Sequence, residues 1–381
     1  MRRPHRTWPQ RLLLTANILL VVVCLVAAAA VWWTYNEATA LPRIDVGGSL
    51  TPAPEPGEPQ NVLLVGIDDG AGLETGDPVL YGRTETLNTD TVMVLRVDPR
   101  TQEAALLSLP RDLYVDLAGG GRGRINTALA LGGPERLIET IKQEFGIPIN
   151  HYAMVDFQGF EALVNAVDGV PIYFNDPSRD EETGLFQYDP GCITLDGGQA
   201  LAYVRSRHFE IRPEGEVRWT EDPASDLGRI ARQQQFIKAA LRKAVAKGVR
   251  NPFVLRELLG IAQENVTIDT EWSIQDLVDL GLQFKDYDPD RLVTYTPPAT
   301  PGFVGAAAVL RLEETAAEPI FDVFRGTAEI PDDPTSVTTA PAFGASTTLP
   351  GATSTLPADP AGTTTTTNPF LPQPPEGVTC G

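Results

Sequence analysis

Arg205, Arg207, Arg229 and Arg232, with the amides Gln233, Gln234 and Gln235, fall in two blocks that read AYVRSRHFE and DLGRIARQQQ. Guanidinium forks gathered in one place suit phosphate or carboxylate, because each offers two parallel charge-assisted hydrogen bonds. Arg205 and Arg207 are two apart, so an extended segment would put both side chains on one side. Arg229 and Gln233 are four apart and share a face of an expected helix, with Arg232 beside them. On the opposite stripe Ile230, Ile237 and Leu241 are apolar and are expected to pack inward. The competing reading is a solvated basic face on an acidic protein.

Carboxylates and one more arginine stand at the ends of expected strands. Asp68 follows NVLLVGI, Asp90 opens the stretch TDTVMVLRV, and Arg111 follows the strand at 104–108. Taken singly, Asp68 or Asp69 caps a turn, Asp90 ends a strand and Arg111 pairs with Asp112. Taken together, two carboxylates beside several arginines are the layout for Mg2+ and a pyrophosphate, the metal held by hard oxygens and the remaining charge by guanidiniums. Other chemistries find little support. The three histidines are His5, His151 and His208, and no G-x-S-x-G, Walker, dinucleotide-binding or H-E-x-x-H pattern is present. The glycines at 119–123 lack a strand-to-helix context, and His208 reads as a surface histidine near arginines.

The elements that must position these groups alternate. Strands are expected at 61–67, 89–97, 104–108, 152–155, 169–174, near Val266 and at 292–295. Helices are expected at 125–131, 134–145, 157–167, 196–203, 252–262, 273–284 and 310–324, and Asp226 is placed to cap the helix carrying Arg229. The order predicts an α/β fold, a layered sheet flanked by helices. The 42% hydrophobic content of 381 residues allows a large core, and a formal net charge of -20 with a pI near 4.5 disfavours nucleic acid.

Arg2, Arg3, His5, Arg6 and Arg11 precede an apolar run from Leu12 to Trp33 broken by Thr15 and Asn17, with Trp32, Trp33 and Tyr35 at its end. That length crosses a hydrocarbon core of about 30 Å, and basic residues stay on the cytoplasmic side. The expected organisation is a cytoplasmic flank at 1–11, a transmembrane helix at 12–35, a linker at 36–60, one extracytoplasmic domain at 61–327 and a disordered Pro/Thr-rich tail at 328–381. The protein is thus expected in the cell membrane as a single-pass chain. A signal peptide cut near Ala30 is the alternative. Cys192 and Cys380 are available to pair in an oxidising space, an open question for a cysteine on such a tail.

These residues resemble the LytR–CpsA–Psr family of the bacterial cell envelope. The resemblance runs through NVLLVGID, NTDTVMVLRVDP, LSLPRDLYV, RINTALALGGPE, INHYAMVDFQGF, LDGGQALAYVRSRH and DLGRIARQQQFI, in that order from about Asn61 to about Gly326. It implies a single α/β domain with an apolar pocket for a polyprenyl chain. The implied activity is Mg2+-dependent transfer of a glycopolymer phosphate, of teichoic acid or arabinogalactan type, from polyprenyl pyrophosphate to peptidoglycan. Asp68 and Asp90 would sit at the metal, Asp90 and Arg111 would act in catalysis, and Arg205, Arg207, Arg229 and Gln233 would bind phosphate. A receptor for lipid-linked sugars and a pyrophosphate hydrolase are the rival expectations. The chain departs from the family pattern at Asn88, where an arginine is usual (Arg83 is a candidate substitute), in the long loop between Asp68 and Asn88, and in the inserted-looking segment 209–224.

Overall fold

The computed structural model describes residues 42–68 (less 53, 54 and 56), 88–247, 258–331 (less 259, 263, 264 and 285), and 370, 371, 374, 375, 377, 378 and 380. Strand β1 (Arg43–Ile44), β2 (Gln60–Asp68), β3 (Asn88–Asp98) and β4 (Glu103–Leu109) lead into a hairpin of β5 (Tyr114–Asp116) and β6 (Arg122–Arg124). Helix α1 (Thr127–Phe145), β7 (His151–Val155) and α2 (Phe157–Ala166) follow. Next come β8 (Val170–Phe174), β9 (Ser178–Asp180), β10 (Leu185–Gln187), β11 (Gly191–Leu195), α3 (Gly197–Arg205), β12 (Glu210–Ile211) and β13 (Thr220–Glu221). Helix α4 (Asp226–Lys247), β14 (Val266–Asp269), α5 (Ile274–Gln283), β15 (Val293–Tyr295), the hairpin of β16 (Ala299–Val304) and β17 (Ala307–Leu312), and α6 (Glu314–Arg325) complete the order.

Among the described residues, seven strands form the central sheet in the order β1-β14-β7-β2-β3-β4-β15. Strand β2 runs parallel to β7, β3 is antiparallel to both β2 and β4, and β15 is parallel to β4. The C-terminal ends of β2, β4 and β7 therefore share one edge with the start of β3. That edge gathers Asp68, Asp90 and the segment leading to Arg111.

Side-chain alternation splits the sheet between two cores. Leu63, Val65, Ile67, Val92 and Val94 face α1 and α6, packing with Leu137, Ile138, Ile141, Phe145, Phe321 and Phe324. The other face looks towards α2, α3, α4 and α5, where Met93 and Leu106 meet Ile237, Leu241 and Phe284. A satellite core under α3 and α4 joins Ile172, Phe174, Tyr203, Phe209 and Phe236. The interrupted helical pattern at 125–145 is real: Gly132 and Gly133 leave helical geometry, Gly133 at φ 67°, ψ -168°, a region open to glycine, and Pro134 restarts the helix.

Three expectations are corrected. The stretch 310–324 is not one helix, since Leu310 to Leu312 finish β17 and α6 begins at Glu314. Arg122 and Gly123, read as part of a flexible glycine loop, pair with Asp116 and Val115 in a hairpin. The tail does not end free: Cys192 in β11 is bonded to Cys380, and Phe370 is buried in the satellite core. Among the described residues no helix is long and apolar enough to cross a membrane, and the expected span at 12–35 lies outside them. So do Asp69, Arg83, most of 252–262 and residues 332–369.

Residues 188 apart in sequence are joined by that disulfide, so its loss frees a large loop in the unfolded chain. Cys380→Ser is expected to lower the unfolding free energy by about 2–4 kcal/mol. Chemical denaturation of wild type and variant, with and without reductant, checks it; an unchanged midpoint would show that the link carries no stability.

Candidate active site

A register shift in the sheet sets the geometry. Gly66 pairs with Thr91 and Ile67 with Thr89, so Asp90 is an extra residue opposite the Gly66–Ile67 step. A bulge of this kind re-aims the inserted side chain. Strict alternation would turn Asp90 away from Thr91 and Met93, yet all three line one cavity.

Around Asp90 the guanidiniums converge. Arg111, just past β4, donates from Nη1 to Asp90 Oδ1 at 2.6 Å, and Arg207 donates from Nη2 to the same oxygen at 3.3 Å. Arg229, on the first turn of α4, donates to the Asp90 backbone carbonyl at 3.3 Å. A second carboxylate faces the same three arginines: Asp226 Oδ1 is 2.9 Å from Arg229 Nη2, 3.5 Å from Arg207 Nε and 3.8 Å from Arg111 Nε. Both Asp226 oxygens are buried and accept no hydrogen bond, so Asp226 does not cap its helix as the sequence predicts. Asp112 balances the outer side of the cluster, at 3.5 Å from Arg111 and 2.9 Å from Arg124. Arg205 lies with its guanidinium over the Phe157 ring at 4.5 Å and lines the cavity.

Burial alone pushes the Asp90 carboxyl up, but Arg229, Arg111 and Arg207 outweigh it and hold the group below the ordinary carboxylate value. Burial likewise acts to lower Arg111, and Asp90, Asp226 and Asp112 reverse that and raise it. Arg229 is 2% exposed, and there burial prevails, bringing its guanidinium down to about 10. It remains charged at neutral pH.

The arginine-bearing segment is clamped from behind. Helix α3 starts at a reciprocal cap in which Asp196 accepts from Gln199 N and Gln199 accepts from Asp196 N. Arg205 is its last residue, so the expected extended pair is half helix, and Arg207 lies beyond the Ser206 turn. Gln233 donates to the Val204 carbonyl and Arg232 to the Ser206 carbonyl. The fully buried Asp180 accepts from Ser206 Oγ at 2.6 Å and from His208 N at 3.0 Å. Residues 204, 206 and 208 are thus held from one side, leaving Arg205 and Arg207 for the other.

Arg232 is the arginine that does not join the site. It is fully buried, paired with Asp222 at 2.6 Å and stacked over Phe209 at 4.5 Å. The contact is so close that a Cβ on Gly228 would lie 2.0 Å from Asp222 Oδ2. His208 turns to Glu221 at 2.7 Å, which raises its pKa, and His151 is buried against Asp269 at 3.3 Å; neither reaches the cluster.

Behind the cluster runs an apolar cavity of about 330 Å³ between the sheet and α2–α4. Leu64, Met93, Ala153, Phe160, Leu201 and Phe236 line its body, and Asp90, Arg205, Arg229 and Gln233 its charged end. Gln233 also donates to Thr91 Oγ1 at 3.2 Å, tying the helix to the bulged strand. Asp90, Arg111, Arg205, Arg207, Arg229 and Gln233 therefore come together. The backbone of Asp68 ends β2 opposite Asn88, while both side chains lie outside the description. Asp226 was missed because a residue at a helix start reads first as a cap, although its place three before Arg229 was a usable signal.

The LytR_cpsA_psr family profile matches residues 34–323, and the chain belongs to that family. It is 34% identical over 229 residues to the Enterococcus faecalis protein named polyisoprenyl-teichoic acid–peptidoglycan teichoic acid transferase TagU, covering 60% of this chain and 66% of that one. It is 34% identical over 275 residues to the probable cell wall biosynthesis protein LcpB of Corynebacterium glutamicum, covering 70% and 61%. The chain thus spans less than two thirds of the length of either relative. The fold is similar to the LytR-Csp2A-Psr enzyme from Actinomyces oris, with a TM-score of 0.57 at 22% identity over 78% of this chain and 98% of that one. The α/β expectation agrees with this likeness.

Asp222→Ala leaves the Arg232 charge buried without its partner and is expected to cost about 3–5 kcal/mol in urea denaturation, whereas Arg207→Ala, at a site a third exposed, should cost about 1 kcal/mol or less. Equal losses would contradict the division of labour. A second expectation concerns pH. The folded-state pKa of Asp90 lies below the ordinary value of 3.8 for its carboxyl, so its contribution to stability is present above 3.8 and is lost as pH falls through the folded value. Asp90→Asn should therefore flatten the acid limb of a stability-versus-pH curve measured without divalent cations, and a parallel curve would refute the assignment.

Proposed function

We propose that the protein is a cell-envelope phosphotransferase that moves a glycopolymer phosphate from a polyprenyl-pyrophosphate carrier onto peptidoglycan. The observation that carries this reading is the junction of an apolar cavity with four arginines, Arg111, Arg205, Arg207 and Arg229, set against two carboxylates. A molecule with a long hydrocarbon tail and a diphosphate head matches both halves. The cavity falls in the range of roughly 300–1,000 Å³ usual for ligand sites. The names of the relatives TagU and LcpB support the same reading.

In this reading a peptidoglycan hydroxyl attacks the polymer-side phosphorus in line. An oxygen–phosphorus bond forms, the bond to the bridging oxygen breaks, polyprenyl phosphate leaves with that oxygen, and the hydroxyl proton passes to solvent water. Arg111, Arg207 and Arg229 stabilise charge on the phosphate oxygens, Arg205 holds the head against Phe157, and Gln233 fixes the cavity mouth. Asp90 is a weak base, because its arginines hold its pKa down. Its part is to orient Arg111 and Arg207.

Mg2+ fits the donor set. Among the described residues no three acidic, His or Cys side chains converge on one point, but Mg2+ is commonly held by one or two carboxylates plus substrate phosphates. Asp90, and Asp226, of which both oxygens are buried and accept no hydrogen bond, would hold it, with Asp68 added by the family pattern. Bound there, the ion would neutralise charge on the diphosphate. The remaining parts of the proposal are a membrane span at 12–35 with the N-terminus cytoplasmic, a catalytic domain at 61–327 outside the membrane, and a teichoic acid or arabinogalactan-type polymer.

Arg111→Ala is expected to leave the thermal midpoint nearly unchanged and to reduce transfer about 10²–10³-fold. The assay incubates the full chain with lipid-linked polymer and Mg2+, with and without peptidoglycan. A polymer–glycan adduct is the expected product. Turnover with water alone would indicate a hydrolase, no turnover a receptor, and full transfer by the variant would remove Arg111 from the chemistry.

A further inference from the structure

The hairpin of β16 and β17 ends in a stretch that the site does not use. From Pro301 to Leu310 the chain reads PGFVGAAAVL, ten residues without a polar or charged side chain. Phe303 pairs with Ala308 and Val304 with Ala307, leaving Gly305 and Ala306 at the turn. Phe303 to Ala308 are all exposed, Phe303 at 73%. Nearer the base, Ala299 is buried and Leu310 and Leu312 pack on the core. An unbroken apolar run at the end of a ribbon marks a contact with something apolar.

The tip points the way the site faces. Pro110 to Leu113 form a turn after β4, Leu113 N donating to the Pro110 carbonyl at 3.0 Å, and past it the chain heads back. Strand β17 lies parallel to that returning chain through the bridge of Leu113 with Leu310. It therefore runs away from the edge that bears Asp90 and Arg111, and the tip from which it starts lies beyond that edge. The link to the cluster is direct: Leu310 N donates to the Asp112 carbonyl at 2.9 Å, and Asp112 is 3.5 Å from Arg111.

The N-terminal side of the domain meets the same edge. Arg43 is in register with Ile268, Ile268 with Ala153 and Ala153 with Leu64, and β1 runs opposite to β2. Pro42 thus lies on the Asp68 side of Arg43. The expected span at 12–35 ends seven residues before Pro42, a reach of at most about 25 Å. A bilayer holding that span is within reach of the edge from which the hairpin projects. Charge agrees with this occupant. Arg311 turns its guanidinium along the ribbon, donating from Nη2 to the Phe303 carbonyl at 3.4 Å, and with Arg122 it brackets the Tyr114 ring at 5.9 and 5.1 Å. A guanidinium level with an exposed phenylalanine suits lipid phosphate above a shallow apolar insertion. A specific protein partner needs about 1,200 Å² of buried surface or more, which so narrow a tip does not offer.

We propose that residues 302–308 dip into the surface of a phospholipid bilayer and hold the arginine cluster against it. The ribbon has two strands among the described residues, so its outer backbone groups need water or headgroups and the insertion stays within about 5–10 Å. The proposal rests on the transferase reading, in which the diphosphate of the carrier emerges at that surface.

Spin labels test it in the full chain, reconstituted into phosphatidylcholine–phosphatidylglycerol vesicles, with Cys24→Ser leaving the introduced cysteine as the free thiol. A label on Ala306→Cys should collide more with oxygen, which concentrates in lipid, than with a water-soluble nickel chelate. A label on Thr101→Cys, exposed in the turn at the opposite edge of the sheet, should do the reverse. Equal chelate access at the two positions overturns the proposal. So does dipolar broadening between labels at 306, which would make the tip an interface between two copies. Phe303→Asp/Val304→Asp should raise KM for lipid-linked polymer in vesicles about ten-fold and leave kcat unchanged; an unchanged KM overturns the positioning of the site by the tip. Absence of turnover in wild type would count against the transferase reading alone, because the label at 306 reports the contact without any reaction.

Discussion

Positive charge placed beside an apolar cavity has to be held there by something, and here carboxylates shared between arginines hold it. Asp90 and Asp226 each face Arg111, Arg207 and Arg229, so no guanidinium depends on a single partner. An unpaired cation at 2% exposure would cost several kcal/mol. The sharing also keeps the forks close together and pointed at one spot, which is what a diphosphate needs. The chain carries a net charge of -20, so long-range attraction cannot deliver an anion to this place. Local geometry must do so.

Helix α4 distributes this constraint along about two and a half turns. Asp226 and Arg229 face the cluster; Arg232 turns to the buried Asp222; Gln233 ties the helix to Thr91 and Val204. Gln234 donates to Ser108, Tyr295 and Thr296, and Gln235 accepts from the Tyr203 hydroxyl. Consecutive residues therefore bind the helix to β3, β4, β15 and α3 while leaving the arginine face free. A single methyl on Gly228 would break this packing, since it would meet the carboxylate that Arg232 needs.

The long strands and helices were legible because their burial is one-sided or complete, and period-two or period-3.6 patterns report that directly. The site residues were legible as a set through type and spacing, and Arg205 and Arg207 converge even though one of them ends a helix. Four features were hidden. The bulge at Asp90 changes which way a side chain points without changing any residue type. Asp180 and Asp222 read as ordinary loop acids until the fold buries them. The short strands β9, β10, β12 and β13 owe their existence to pairing across sequence gaps, which local propensity does not record. The return of Phe370 and Cys380 to the domain is likewise a non-local event, which local composition does not record.

Asp90 and Asp226 occupy the place where an anion would gain most, so they compete with it. Displacing them outright would expose each carboxylate to a low-dielectric surrounding without its partners, at a cost close to what the new contacts return. In the proposed function a divalent cation would resolve the conflict, because it would let carboxylates and phosphate oxygens share one neighbourhood instead of excluding each other. The arginines would then gain phosphate partners without losing the acids that orient them. Affinity for the head group should accordingly be modest in the absence of cation. The hydrocarbon tail, which carries no such conflict, would supply most of the binding free energy through the apolar area buried in the cavity. Tight binding of the carrier and ready release of the phosphorylated polymer are compatible on this account, since only the carrier has a tail to leave behind.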